Sequence, residues 1–242
     1  MATNLPVALV TGANKGIGFA TAHGLAQRNY HVLLGCRDLD RGEDAAAKLR
    51  DEGLAADVMN VDVADDDSMA RAASLIEMKF GRLDVLVNNA GGRFEEKLGI
   101  WSLRTVMRAT YEVNVFGIAS MIEAMVPLLS CSEHPRIVNM SSGLGSIANN
   151  ADPHYEFAHV KRPAYNSSKA AVNALTVIYA ARLAPQRIKV NSADPGLTAT
   201  DLTNHRGGRP PSEGAAIAVR LATLADDGPT GGFFDRAGSV PW

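Results

Sequence analysis

The sequence predicts an α/β fold in which helices cover both faces of a mainly parallel sheet. Short segments rich in Val, Ile, Leu or Met alternate with helix-like segments along the 242 residues. This alternation is typical of a doubly wound parallel sheet, which buries strands on both faces. No linker, repeat or low-complexity stretch interrupts the pattern. We therefore expect a single domain over residues 1–242.

The composition indicates a soluble globular protein. Apolar residues make up 46% of the chain and charged residues 21%, and the net charge is −2. This balance favours neither nucleic acid nor an anionic membrane as a partner. We see no signal peptide and no apolar run approaching the length of a membrane span. Cys36 and Cys131 form no disulfide framework, so we expect a cytoplasmic protein.

The elements follow in order along the chain. The predicted strands are 6–11, 31–36, 56–61, 83–88, 134–140, 187–193 and 232–234. The predicted helices are 17–29, 39–52, 67–80, 101–112, 114–131, 163–184 and 212–225. Helix N-caps are expected at Asp38 or Asp40, within Asp65 to Asp67, and at Ser212. The acidic run at 65–67 is therefore interpreted as a helix start rather than as a metal site.

A glycine-rich turn joins the first strand to the first helix. It reads Thr11-Gly12-Ala13-Asn14-Lys15-Gly16-Ile17-Gly18. Glycines let backbone N–H groups approach an anion, and the helix dipole favours negative charge there. The spacing G-x-x-x-G-x-G differs from the commoner G-x-G-x-x-G, and alone it also fits an ordinary strand-to-helix turn. A ligand in such a fold lies outside the carboxyl ends of the strands.

The end of the second strand favours NADP over NAD. In an NAD site an acid at this position accepts from the ribose hydroxyls, whereas Cys36 stands here and cannot repel a phosphate. Arg37 follows and can contact a phosphate in bidentate fashion, and Lys15 offers a second cation. Both could instead be solvated surface cations. Asp38 could accept from the ribose, although it suits an N-cap better.

Further polar residues follow other strands. Asp62-Val63 and Asn88-Asn89-Ala90-Gly91 stand where an adenine edge and the pyrophosphate–ribose region would lie, although each could be an ordinary loop. Ser141-Ser142 ends the fifth strand. Tyr165 and Lys169 share one helix face, and a lysine ammonium there would lower the pKa of the tyrosine. Such a tyrosine can protonate a carbonyl oxygen that a serine hydroxyl also binds, although an isolated Tyr/Lys pair is usually inert.

Together these motifs resemble the short-chain dehydrogenase/reductase family, in that family's order and over essentially the whole chain. They are Thr11-Gly12-x-x-x-Gly16-x-Gly18, Asn88-Asn89-Ala90-Gly91, Asn114, Ser142, Tyr165-x-x-x-Lys169 and Pro195-Gly196. The resemblance implies one Rossmann-like domain with a seven-stranded parallel sheet. It implies a catalytic tetrad of Asn114, Ser142, Tyr165 and Lys169. In this tetrad the tyrosine is the general acid/base, the serine orients the carbonyl, the lysine binds the nicotinamide ribose, and the asparagine holds a relay water.

The resemblance extends to the cofactor and substrate. It places Pro195, Gly196, Thr198 and Thr200 beside the nicotinamide and phosphates, and the two threonines could also cap a helix. Lys15, Arg37 and the ending Gly231-Gly232-Phe233-Phe234…Pro241-Trp242 resemble the carbonyl-reductase-like branch. That branch prefers NADPH and reduces aldehydes and ketones. We therefore expect NADPH and a small-molecule carbonyl substrate.

The chain departs from the family's common pattern between Ser142 and Tyr165, which stand 23 residues apart. The extra segment, about 145–163, resembles insertions that cover a dimer surface in some monomeric members of the branch. A monomer is therefore favoured over a homo-oligomer. His154 and His159 within it lack the neighbours of a metal site, so no metal is expected. The polar stretch 202–211 is interpreted as a substrate lid or a plain surface loop.

We expect the substrate pocket to be lined by Arg93, Phe94, Trp101 and these two segments. The main alternatives are an NAD-dependent alcohol dehydrogenase of the same family and an NADP-sensing regulator without catalysis. The intact tetrad counts against the regulator. The Tyr/Lys spacing of four counts against an enoyl reductase, and the short C-terminal part counts against a sugar epimerase.

Overall fold

The computed structural model describes residues 5–242 and is built around one sheet. Its seven parallel strands lie in the order β3-β2-β1-β4-β5-β6-β7. They are β1 (Val7–Thr11), β2 (His31–Cys36), β3 (Ala56–Asn60), β4 (Val85–Asn88), β5 (Arg136–Met140), β6 (Lys189–Ala193) and β7 (Phe233–Phe234). Each lies inside a predicted strand, which confirms the doubly wound Rossmann-like α/β single domain.

Eight α-helices connect and cover these strands within the described residues. They are α1 (Gly16–Ala26), α2 (Leu39–Asp51), α3 (Asp66–Phe80), α4 (Leu103–Tyr111), α5 (Gly117–Leu129), α6 (Ile147–Ala151), α7 (Pro163–Arg182) and α8 (Pro211–Ala222). Helices α1, α2 and α8 contribute to one core, and α3, α5 and α7 contribute to the other. Successive β1 residues alternate between them: Val7 and Leu9 join the second core, whereas Ala8 and Val10 join the first.

Helix starts confirm two capping predictions and correct a third. The Asp38 carboxylate accepts from the Arg41 N–H at 3.1 Å at the start of α2, and Asp65 caps α3 in the same way. The prediction of Ser212 as an N-cap was wrong, because α8 begins at Pro211 with Pro210 in the cap position. A proline suits the first helical turn because its fixed φ is already helical and its missing N–H costs no helical hydrogen bond.

The predicted helices 101–112 and 114–131 are joined rather than separated. A π-helical segment, Glu112–Phe116, connects α4 to α5. The resulting stretch Leu103–Leu129 is 27 residues long and, by length and composition alone, apolar enough to cross a membrane. This corrects the expectation that no apolar run approaches that length. Half of its most apolar window is buried, with Met121 and Ile122 fully inside the domain, so it is a core helix.

The segment 145–163 contains α6, a short helix absent from the sequence prediction. The Asn150 side-chain amide donates to the carbonyls of Leu144 and Ser146, both at 2.7 Å. Asn166, on α7, donates in turn to Asn150 at 3.1 Å. These bonds tie the segment both to the turn after β5 and to the helix that carries Tyr165.

Candidate functional site

The carboxyl ends of the parallel strands meet at a cavity of about 790 Å³, within the size range of cofactor pockets. It opens where the strand order reverses between β1 and β4, the position expected for a ligand in an open α/β sheet. Most of the predicted cofactor-binding residues line it. These are Gly12, Asn14, Lys15, Gly16, Ile17, Gly18, Arg37, Asp62, Val63, Asn89, Ala90, Gly91 and Thr200.

The glycine turn lies directly against the loop that follows β4. Gly12 has φ +64°, and a Cβ there would lie 3.0 Å from the Ala90 Cα, so a larger residue would push the loops apart. The Thr11 hydroxyl oxygen accepts from the N–H groups of Asn89 at 3.0 Å and Ala90 at 2.9 Å. The Asn89 amide donates back to the Thr11 carbonyl at 2.8 Å. The two loops therefore form one rigid floor of the cavity.

The N-terminus of α1 faces this floor without a protein cap. Lys15 occupies the cap position and makes no side-chain hydrogen bond to the helix, and the first turn contains no acid. Asp38, Asp65 and Ser102 cap α2, α3 and α4, whereas α7 and α8 also lack a side-chain cap but have proline in the first turn. The first N–H groups of a helix need acceptors, and an anion at that end is stabilised by the helix dipole. The uncapped helix, the glycine turn and the cavity together fit the pyrophosphate of a nicotinamide dinucleotide.

The far end of the cavity is formed by the end of β2. Burial raises the pKa of the Cys36 thiol to about 11, so this side chain is neutral at pH 7. Arg37, Asp38 and Arg41 also line the cavity. Asp38 caps α2 and pairs with Arg41 at 3.2 Å, so its carboxylate is engaged within its own helix. Arg41 was missed by the sequence analysis, although it lies one helical turn beyond the predicted phosphate site.

Lys15 does not point at Arg37. Its ammonium pairs with the Asp201 carboxylate across the cavity mouth, and His205 lies 3.0 Å from the same carboxylate. The Lys15 contact lowers the pKa of Asp201. All three residues line the cavity and are more than half exposed at the side chain. They therefore connect the glycine turn to the segment predicted as a lid.

The predicted catalytic side chains converge beside the cavity. Tyr165 lies in the first turn of α7, and Lys169 lies one turn later on the same face. The Ser142 hydroxyl, just after β5, lies close enough to the Tyr165 side chain to influence its pKa. The Lys169 ammonium lies 5.8 Å from the centre of the Tyr165 ring and donates to the Met140 carbonyl at 2.7 Å. Both Tyr165 and Lys169 are buried.

Asn114 holds the β4 loop against α7. It lies in the π-helical segment, a distortion often found at functional sites. Its Oδ1 accepts from the Gly92 N–H at 2.8 Å, and its Nδ2 donates to the Gly92 carbonyl at 2.9 Å and to Ser168 Oγ at 3.0 Å. The side chain is completely buried, so its amide is committed to fixing neighbouring backbone.

The pKa of Tyr165 differs from the expectation. Burial, followed by the charge of Asp194, raises it to about 12, and the nearby Ser142 hydroxyl and the charges of Arg93 and Arg162 oppose this increase. Burial lowers the pKa of Lys169 to about 8. The expected lowering of the tyrosine pKa by Lys169 is therefore not observed in this structure, where the ammonium faces the ring and a backbone carbonyl.

Residues without a predicted role also approach Tyr165. Glu95 Oε1 accepts from the Tyr165 backbone N–H at 2.6 Å, while Glu95 Oε2 is buried without a hydrogen-bond partner. Glu95 is 70 positions away in sequence, and no local pattern signals this contact. Asp194 does carry a signal, since it directly follows β6 at the carboxyl edge of the sheet.

The turn that contains Pro195, Gly196 and Thr198 is held by local hydrogen bonds. The Thr198 hydroxyl donates to the carbonyls of Pro195 and Gly196 at 3.3 and 3.2 Å. Thr198 itself is buried.

The predicted substrate pocket is found in part. Arg93 and Phe94 line the cavity, and Trp101 stacks on Phe94 with ring centres 6.5 Å apart. Leu202 and Asn204, from the predicted lid, also line it. Among residues 5–242, no three His, Cys, Asp or Glu side chains are grouped so that they could hold a metal ion.

Comparison with known proteins matches most of the chain. The family described as short chain dehydrogenase matches residues 6–209. The short-chain dehydrogenase anuI of Penicillium roqueforti is 37% identical over 228 residues, covering 92% of this chain and 90% of that protein. Salutaridine reductase of Papaver bracteatum is 32% identical over 303 aligned positions, covering 96% of this chain and 95% of that protein.

Two solved structures superimpose on almost the whole chain. The NADPH-bound carbonyl reductase from chicken fatty liver superimposes with a TM-score of 0.85 at 26% identity, covering 99% of this chain and 100% of that one. Salutaridine reductase from Papaver somniferum superimposes with a TM-score of 0.83 at 29% identity, covering 95% of this chain and 99% of that one.

Proposed function

Because this chain belongs to the short-chain dehydrogenase family, we propose that it is an NADPH-dependent reductase of aldehydes or ketones, or catalyses the reverse alcohol oxidation. The observation that carries the proposal is that Ser142, Tyr165 and Lys169 lie together next to the cavity floored by the glycine turn. A proton donor and an oxyanion-binding hydroxyl next to a cavity of cofactor size are the groups that carbonyl reduction needs.

Each residue of the site has a defined task in this reaction. The chemistry that NADPH supplies when bound is hydride donation to the carbonyl carbon. Ser142 donates a hydrogen bond to the carbonyl oxygen, and Tyr165 donates its phenolic proton to that oxygen as negative charge develops. A pKa of about 12 keeps Tyr165 protonated at neutral pH, which suits a proton donor. Lys169, with a pKa of about 8, is mostly charged at pH 7, and its ammonium would bind the nicotinamide ribose.

The preference for NADP rests on the end of β2. Neutral Cys36 stands where an acid would repel a 2′-phosphate, and Arg37 supplies positive charge on the cavity wall. Arg41 lines the same wall as an ion pair with Asp38. The chicken carbonyl reductase of the same fold is NADPH-bound, which supports this choice. Asp62, Val63, Asn89, Ala90 and Gly91 would surround the adenine and ribose portions. Pro195, Gly196, Thr198 and Thr200 would flank the nicotinamide.

The activity is tested by NADPH consumption across a panel of aldehydes, ketones and quinones. We expect Tyr165→Phe to lower kcat by about 10²–10⁴-fold, because the general acid is lost. Tyr179→Phe is the matched control, since this tyrosine is on the same helix but bonds to Glu123 at 2.7 Å. If NADPH binds but no carbonyl compound turns over, the proposal is wrong and a cofactor-sensing regulator is favoured.

Cofactor choice is tested separately with Arg37→Asp. We expect the ratio of kcat/KM for NADPH to that for NADH to fall by about 10–100-fold, because a charged hydrogen bond is replaced by repulsion. Arg71→Asp, on α3, is the control for charge reversal at a surface arginine. An unchanged ratio in Arg37→Asp would contradict the assignment and favour an NAD-dependent alcohol dehydrogenase.

The oligomeric state and the compartment stay predictions. The side chains of Val177 and Ile178 on α7 are 44% and 58% exposed, so the 145–163 segment does not cover this part of the helix. That exposure weakens the reasoning for a monomer, and light scattering of the purified protein measures the outcome. Cys36 and Cys131 are both free thiols, which supports a reducing compartment such as the cytoplasm.

A further inference from the structure

Asp194 connects two turns that are far apart in sequence. It directly follows β6, and its Oδ1 accepts from the Gly196 N–H at 2.9 Å. The carboxylate also lies against Gly143, the residue after Ser142, whose backbone N–H helps to stabilise the ionised form of Asp194. A Cβ built on Gly143 would lie only 2.9 Å from Asp194 Oδ2, which shows how closely the turn after β5 approaches.

Only the contact with Gly143 is unusual. An Asp that accepts from the N–H two residues later forms a common local turn, and it needs no functional explanation. The contact with Gly143 crosses 51 positions of sequence and brings the turn that carries Ser142 against the turn that contains Pro195 and Gly196. One side chain thereby contacts both loops that follow β5 and β6.

We propose that Asp194 is a positioning residue, whose carboxylate holds the Ser142 turn and the Pro195–Gly196 turn at one separation suited to the reaction. The inference rests on the proposed function, in which Ser142 binds the carbonyl oxygen and Pro195–Gly196 flanks the nicotinamide. Hydride and proton must reach the two ends of one carbonyl bond. Because misplacement by about 1 Å can cost about 10²-fold in rate, a fixed separation between these loops has a direct catalytic value.

The carboxylate also acts through its charge. Burial raises the pKa of Asp194, and the N–H groups of Gly196 and Gly143 oppose this increase by stabilising the ionised form. Tyr155, Tyr165, Asp235 and Arg209 are the titratable groups with which it interacts.

The negative charge of Asp194 raises the pKa of Tyr165, whereas the positive charges of Arg93 and Arg162 lower it. Lys169 lies beside the ring. Removal of the Asp194 charge should therefore lower the pKa of Tyr165. A purely structural support would not change this titration.

The two variants of Asp194 separate geometry from charge. Asp194→Ala removes both acceptors. Asp194→Asn keeps one acceptor oxygen, removes the charge and preserves the shape, so it serves if the alanine variant does not fold. Asp235 provides the matched control, because it follows β7 and accepts from Ala237 at 2.7 Å and Gly238 at 2.9 Å in a purely local turn.

Hydrogen–deuterium exchange of the cofactor-free protein tests whether Asp194 holds both turns, and it does not require activity. We expect exchange in both segments 142–146 and 195–199 to increase together in Asp194→Ala, and to remain at the wild-type level in Asp235→Ala. An increase confined to 195–199 would overturn the proposal, because it would leave only the local turn. This result is informative even if the wild type reduces no carbonyl compound, so a failure of the proposed function is distinguished.

Kinetics of an active wild type provide the second readout. We expect Asp194→Ala and Asp194→Asn to lower kcat by about 10-fold or more, with the Kd for NADPH within about threefold of wild type. The basic limb of the pH profile of kcat should move to lower pH in Asp194→Asn and stay unchanged in Asp235→Asn. A kcat within twofold of wild type, or an unmoved basic limb, would overturn the inference.

Discussion

The buried ammonium of Lys169 should make the stability of the cofactor-free protein depend on pH. Its side chain is 5% exposed and makes one described hydrogen bond, to the Met140 carbonyl at 2.7 Å. Burial lowers the pKa of Lys169 from 10.5 to about 8. Replacement by Met keeps a similar length and removes the charge, so Lys169→Met isolates the cost of burying the ammonium.

The sign follows from comparing proton binding in the two states. Between about pH 8 and 10.5 the unfolded lysine retains its proton while the folded lysine loses it, so the unfolded state binds more protons. Stability of the wild type relative to Lys169→Met therefore rises with pH across this window and is lost again as pH falls towards 8. Linkage gives a change of about 2–3 kcal/mol in the difference in unfolding free energy between wild type and Lys169→Met from pH 7 to pH 10.

Urea unfolding of both proteins at pH 7, 8, 9 and 10, without cofactor, measures this difference. We expect the unfolding free energy of the wild type to increase relative to that of Lys169→Met at each step in pH. The variant should also lack carbonyl reduction. Lys48→Met, on the exposed face of α2, is the control for loss of a lysine from the chain. A free-energy difference that stays constant within about 0.5 kcal/mol from pH 7 to 10 would refute the reasoning, since it would mean that burial does not destabilise the charged form.

Three further predictions test the floor of the cavity, the amino ends of the central strands β1 and β4, and the core. Thr11→Val keeps the shape but removes the acceptor of two N–H groups, so we expect a loss of about 1–3 kcal/mol in urea unfolding and weaker NADPH binding by fluorescence titration. Asp84→Ala removes the buried acceptor of the Val7 N–H at 2.7 Å and should cost about 3 kcal/mol in the same unfolding assay. Met121→Ala opens a cavity in a fully buried position and should cost about 2–5 kcal/mol in urea unfolding while leaving the Kd for NADPH unchanged.

The strands were predictable because burial on both faces leaves a continuous apolar run. β2 has the predicted bounds, His31 to Cys36, and its last five residues are all buried. Even the two-residue strand β7 was located, since Phe233 and Phe234 stand alone between turn residues. Helix ends were less predictable, because a cap depends on backbone geometry. Pro211 and Ser212 both suit a helix start, and only the fold shows that the helix begins at Pro211.

The site was predictable where its chemistry is local or family-wide. The glycine turn and the Tyr165–Lys169 spacing are visible along the chain. The glycine turn lines the cavity, and the Lys169 ammonium lies against Gly91, another lining residue. The supporting contacts of Glu95 and Asp194 were not predictable, because each bridges loops more than fifty positions apart. Contacts of this kind have no period and no spacing in the sequence, and they depend only on how the sheet brings strand ends together.

Lys15 shows why residue type alone does not settle cofactor choice. The sequence places it with Arg37 as a second phosphate cation, whereas its ammonium here pairs with Asp201. An exposed pair of this kind is held weakly in water, so an incoming phosphate can compete for Lys15 without a large penalty. Arg37 has no such competitor among the ion pairs of residues 5–242. The argument for NADP therefore depends more on Arg37 and on the neutral Cys36 than on Lys15, and Arg37→Asp is the variant that decides it.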